Sequence, residues 1–164
     1  MKKHILSFII AVIFICVNVN AQDYGTGIGV RGGLWSGLTV KHFVKETMAI
    51  EGILSYGYRG YQITGLFEVH GKAFEPEGLY FYYGGGVHFG TYSGRGYYNW
   101  WATNYVSNMV ALGIDGILGL EYQIPTTPLV GGIDIKPYIQ ARFPGNSFFP
   151  RNYFDTAISL RYTF

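Results

Sequence analysis

The sequence predicts an all-β fold, an eight-stranded antiparallel up-and-down transmembrane β-barrel preceded by a helical signal peptide. Three observations predict it. Apolar and polar residues alternate with period two along most of the chain, the composition is rich in glycine and aromatics, and the amino terminus is organised like an export signal. Charged residues make up 13% of the 164 residues, against roughly 25% in an average soluble domain. Aromatics reach 18%, with 15 Tyr, and there are 24 Gly. Glycine is a poor helix former and aromatics favour strands. The length allows one domain.

The amino terminus comes first. Met1-Lys2-Lys3-His4 is a short basic stretch, Ile5 to Val17 is apolar, and Val19-Asn20-Ala21 places small or permissive residues before Gln22. That order is the one a signal peptidase requires. The apolar run is shorter than the roughly 20 residues of a bilayer-spanning helix. Residues 1–21 are therefore read as a cleaved signal peptide and 22–164 as the barrel. A retained anchor helix is the other reading of the same run. The single cysteine, Cys16, lies in the apolar stretch and leaves with it. Ile15 stands where a lipidated cysteine needs a small neighbour. The mature chain thus has no thiol for a disulfide, a metal or a nucleophile.

Cleavage also removes Lys2 and Lys3, leaving ten basic residues against ten acidic ones. The pI of 8.6 belongs to the precursor and gives no support for nucleic-acid binding.

Strands follow in order. A strand sends successive side chains to opposite faces. Ile28, Val30 and Leu34 oppose Gly29, Arg31 and Gly33. Leu38 and Val40 oppose Thr39 and Lys41; Ile50, Leu54 and Tyr56 oppose Glu51, Ser55 and Gly57. Tyr61, Ile63, Phe67 and Val69 alternate with Gln62, Thr64, Glu68, His70 and Lys72. Phe81, Tyr83, Val87 and Phe89 alternate with Tyr82, Gly84, Gly86 and His88. Ile114, Leu118, Leu120 and Tyr122 alternate with Asp115, Gly119, Glu121 and Gln123. Ile133, Ile135, Pro137 and Ile139 alternate with Asp134, Lys136, Tyr138, Gln140 and Arg142. In Ala157-Ile158-Ser159-Leu160-Arg161-Tyr162-Thr163-Phe164 the even positions are large and apolar. The expected strands are 25–34, 37–44, 48–58, 61–74, 79–92, 110–124, 131–142 and 154–164. Residues 35–37, 59–60, 75–78 and 125–128 read as turns, and 93–109 and 143–153 as loops. Pro137 removes a ladder hydrogen bond, so a bulge or local irregularity is expected there.

Volume decides which face points outward. An eight-stranded barrel has an interior only just wide enough for side chains. The apolar set is bulky, and the opposite set is rich in Gly, Ser, Ala and Thr interspersed with charges. The narrow lumen takes the second set and lipid the first; a soluble, ligand-holding barrel is the competing arrangement. Strands of this length suit a tilted bilayer crossing, and aromatics gather near strand ends, as in the girdles of membrane barrels.

The segment Ile158, Leu160, Tyr162 and Phe164, ending the chain in Phe, resembles the C-terminal signature of bacterial outer-membrane barrels. With the signal peptide and the strand count, the mature chain is similar to small OmpA/OmpX-type barrels of the outer-membrane β-barrel domain group. The resemblance implies recognition of the last strand by the barrel-assembly machinery and contact with membrane lipid and lipopolysaccharide. It implies both termini in the periplasm, with 93–109 and 143–153 outside. It assigns no activity.

The candidate chemistry lies on the polar face. Arg31, Lys41, Lys72, Lys136, Arg142 and Arg161 share it with Glu51, Glu68, Asp115, Glu121 and Asp134, and with His70 and His88. Unpaired buried charge is costly, so these groups are expected to interlock as a plug; a narrow gated ion path is the sharper alternative. Gly27-Ile28-Gly29-Val30-Arg31-Gly32 fits a dinucleotide fingerprint in letters, but it lies inside a strand with no helix after it. The histidines His42, His70 and His88 have no metal-ligand spacing, and no cofactor is expected. His42 has no serine among its same-face neighbours Val40 and Val44, so a lipid-modifying enzyme is a third reading and a non-enzyme the preferred one. Tyr97, Tyr98, Trp100, Trp101 and Tyr105 in loop 93–109 are the candidates for recognising an extracellular ligand; the other reading is that the fifth and sixth strands continue and these rings form the outer girdle. A monomer is expected.

Overall fold

A computed structural model of the chain describes residues 25–57, 60–73, 77–95, 106–143 and 154–164. The expected signal peptide and the five candidate recognition aromatics lie outside the described residues. Eight strands follow in chain order: β1 (Thr26–Gly33), β2 (Ser36–Lys45), β3 (Met48–Gly57), β4 (Gly60–Lys72), β5 (Leu79–Arg95), β6 (Val106–Gln123), β7 (Leu129–Phe143) and β8 (Phe154–Thr163). Each pairs antiparallel with its sequence neighbours, and β8 returns to β1, through pairs running from Gly27↔Thr163 to Gly33↔Ala157. The sheet therefore closes and has no edge.

The strands match the expected ones to within a few residues, with one informative exception. The β5–β6 ladder runs on to Arg95↔Val106. Both strands thus continue into the long expected loop, while the rings proposed for an outer girdle lie outside the described residues.

The barrel is inside out relative to a soluble one. Large apolar side chains on all eight strands are exposed; Ile63 is 61% and Ile158 67% accessible. Most charged side chains of the strands are buried inside, and Lys41, Glu68 and Arg161 are fully buried. The lumen is less uniformly small and polar than expected. Ile53, Leu66, Tyr82 and Ile117 form an apolar cluster inside it. Room for the larger rings comes from missing side chains. A Cβ on Gly119 would lie 2.4 Å from the Tyr82 ring, and one on Gly113 would lie 2.4 Å from the His88 ring.

Pro137 produces the expected irregularity but no bulge. The β6–β7 ladder lapses between the pairs Asp115↔Tyr138 and Leu118↔Ile135, and the register is the same on both sides. The register shift lies elsewhere, at Phe43/Lys45 on β2. Gly84-Gly85-Gly86 stay in step with both neighbouring strands. At the end of the barrel that carries the termini, Gly78 turns with φ 89° and Thr126 with φ 64°. That left-handed region is one a non-glycine residue rarely adopts.

Candidate functional site

The inward-facing side chains form three groups. The first spans five strands. The Lys41 ammonium on β2 lies 2.7 Å from Glu68 Oε2, 3.1 Å from Glu121 Oε2 and 3.4 Å from Glu51 Oε2. Arg161 on β8 donates to Glu51 Oε1 at 2.7 Å and reaches Glu121 Oε2 at 3.5 Å. Thr39 donates to the Glu51 carboxylate, and His70 Nε2 sits 3.0 Å from Glu68 Oε2. Lys41–Glu121 and Arg161–Glu51 join strands far apart in the sheet, so they cross the lumen.

The second group lies on the β1–β8–β7 side. Both terminal nitrogens of Arg31 engage the Asp134 carboxylate, one of them at 2.6 Å, in the bidentate fork that suits guanidinium to carboxylate. Arg31 Nη2 also reaches Asp155 Oδ2 at 3.3 Å, and Asp155 accepts from the Trp35 amide at 3.4 Å.

Tyr82 connects these two groups. Its hydroxyl donates to Asp134 at 3.3 Å. The Lys41 ammonium lies 4.0 Å from its ring centroid, and the His70 ring stacks on it at 5.1 Å.

The third group is confined to β5, β6 and β7. Asp115 accepts from Lys136 at 2.7 Å and contacts His88 Nδ1 at 2.7 Å. The other nitrogen of His88 meets Gln140 Oε1 at 3.0 Å. Tyr138 meets the His88 ring edge-on at 5.6 Å.

Eleven of the thirteen expected lumen residues are buried in these groups. Lys72 is not among them. It shares their face of β4 but is exposed at the strand's end, where it lines the mouth beside Gly78, Tyr80 and Gln123. Its parity was right, but its height along the axis put it beyond the packed lumen. Arg142 belongs to β7, and its side chain lies outside the described residues. Asp155, Thr39, Gln140 and Tyr82 were not singled out. All four sit on polar-face positions, so strand parity carried the signal.

The remaining candidates fall on the outer face or in strands. Ile158, Leu160, Tyr162 and Phe164 are all exposed. His42 is exposed, with its Nδ1 2.9 Å from the Thr26 hydroxyl. Gly27 to Gly32 lie within β1, with another strand after them. Among the described residues no three His, Asp or Glu side chains are grouped to hold a metal ion.

Chemically, the arrangement pairs buried charges within and across a closed barrel. The buried described residues include four fixed cations, Arg31, Lys41, Lys136 and Arg161, and six carboxylates, Glu51, Glu68, Asp115, Glu121, Asp134 and Asp155. Comparison with protein-family models, with curated proteins and with solved structures finds no match to this chain.

Proposed function

We propose that this chain is an integral outer-membrane β-barrel of the small OmpA/OmpX type, with a closed, ion-paired lumen and a structural or surface-interaction role. One observation carries the reading: large apolar side chains are exposed around the whole barrel while charges are buried inside. Soluble monomers rarely expose contiguous apolar patches beyond a few hundred Å², and a band continuous around all eight strands needs an apolar solvent. In this reading the β5–β6 and β7–β8 connections face outward, the last strand engages the assembly machinery, and the barrel works as a monomer without catalysis.

Fractionation of cells expressing the full chain tests the location. The chain is expected in the outer membrane and extractable only with detergent. Recovery from the periplasm without detergent would overturn the reading. The plug reading expects no steady unit conductance in planar bilayers. Among the buried described residues carboxylates outnumber fixed cations, which favours one alternative, a narrow path. Current carried by cations in preference to anions would replace the plug with it. The lipid A mass spectrum is expected to be unchanged by expression; an altered acyl content would replace the non-catalytic role with a lipid-modifying one.

A further inference from the structure

The lapse in the β6–β7 ladder coincides with a depression in the outer wall. A cavity of about 300 Å³ opens there on the outer face, framed by Ile114, Ile139 and Phe154 and floored by Gly116 and Pro137. Ile114 is 62%, Ile139 50% and Phe154 58% exposed, so three large apolar side chains stand proud around a floor that has almost none. Across the neighbouring seam, Gly116 pairs with Gly85, which extends the low floor onto β5. Asp115 and Tyr138 close the depression from the lumen side.

We propose that this depression seats one acyl chain of a membrane lipid. The inference rests on the membrane reading above. The occupant is apolar because the rim and floor are apolar. It comes laterally, because the depression opens onto the apolar band. Its position fits the outer half of the bilayer. Pro137 lies well along β7 from the end that carries the termini, and Phe154 begins β8 on the far side. Protein surfaces gain dispersion energy only where atoms touch, so an unfilled hollow of this size would forfeit those contacts. A flexible hydrocarbon chain lying on the glycine floor recovers them and excludes water from the stretch of wall that lacks ladder pairs.

Two substitutions separate this seat from general lipid contact. A Cβ on Gly116 meets Pro137 at 3.3 Å, whereas one on Gly65 meets nothing within 4 Å. Gly116→Ile therefore fills the depression, and Gly65→Ile adds the same bulk to the outer face away from it. The full chain is placed in dimyristoyl phosphatidylcholine nanodiscs and released into native mass spectrometry. The original chain and Gly65→Ile are expected to retain one phospholipid, and Gly116→Ile to lose at least tenfold of that retention. Equal retention by all three overturns the seat and leaves the membrane reading standing. A chain that stays in aqueous solution and never enters discs overturns both. If Gly116→Ile does not fold, the unaltered chain decides. Nuclear Overhauser contacts from acyl methylenes are expected to be stronger at Ile139 methyls than at Ile63 methyls, and equal contacts overturn the seat. Disulfide cross-linking between two Gly116→Cys copies in the same discs would assign the depression to a second barrel instead.

Discussion

The Lys41 group and the Asp115 group are built from the same side-chain types and do different work. The Lys41 group draws on β2, β3, β4, β6 and β8 and spans the lumen. The Asp115 group uses only β5, β6 and β7 and stays on one wall. It lies where the β6–β7 ladder lapses. Asp115 borders that gap and Lys136 lies within it, and their side chains join its two strands. The difference teaches that buried charge in this barrel has two uses: holding opposite walls together, and bridging one seam where backbone hydrogen bonds are missing.

Breaking the spanning group is expected to have the largest effect. Lys41→Met keeps the bulk but removes the ammonium that Glu68, Glu121 and Glu51 share, leaving Arg161 beside Glu51 and Glu121 and His70 beside Glu68. Stranding buried charge costs about 3–5 kcal/mol. Urea unfolding of the barrel in lipid vesicles, followed by tryptophan fluorescence, should show a lowered midpoint and a global loss of stability. An unchanged midpoint would mean that the group does not hold the walls.

Asp115→Asn is expected to cost less, about 1–3 kcal/mol, because the amide keeps a hydrogen-bonding oxygen and Lys136 also lies near the Tyr138 ring, 5.4 Å from its centroid. The distinguishing readout is its location. Amide exchange should quicken along β6 and β7 around residues 115–118 and 135–138 while β2 and β3 keep their protection. Uniform quickening would place the Asp115 group with the spanning one.

Which residues enter the lumen was largely legible in the sequence, and whom they meet there was not. Period two put Arg161, Glu121 and Asp134 inward because alternation is a property of one strand. Lys41 meeting Glu121 depends on barrel closure and on the stagger between β2 and β6, which no single strand encodes. Tyr82 had inward parity, yet an aromatic on a polar face reads as an exception until Gly119 is seen opposite it, on the partner pair Tyr82↔Gly119. Lys72 shows the limit of parity, which gives a face but no height. Pro137 was legible as an irregularity because proline lacks an amide hydrogen. That it leaves the register intact follows from pairing on both sides of it, which is tertiary information. The aromatics expected to carry recognition, Tyr97, Tyr98, Trp100, Trp101 and Tyr105, lie outside the described residues.

Restoring the missing backbone donor sharpens the comparison from the other side. Pro137→Val supplies an N–H and a β-branched side chain suited to a strand. One added ladder bond is expected to stabilise the barrel by about 0.5–1.5 kcal/mol and to slow exchange at Gly116 and Ile117. If the Asp115 group exists to bridge this seam, Asp115→Asn should cost less in the Pro137→Val background than alone. Equal costs would show that the two act independently.

Lys72 gives the smallest expected effect and the cleanest control. It shares charge, strand and facing direction with the residues of the spanning group, but it is exposed at the mouth. Exposed charges removed from packed features change stability within about 0.5 kcal/mol, so Lys72→Met should leave the urea midpoint nearly where it was. Lys41→Met makes the same chemical change inside the lumen. A large gap between the two assigns the stability to burial and pairing and not to net charge. Equal losses would mean that removing any positive charge from this face weakens the barrel, and the division between lumen and mouth would have to be redrawn.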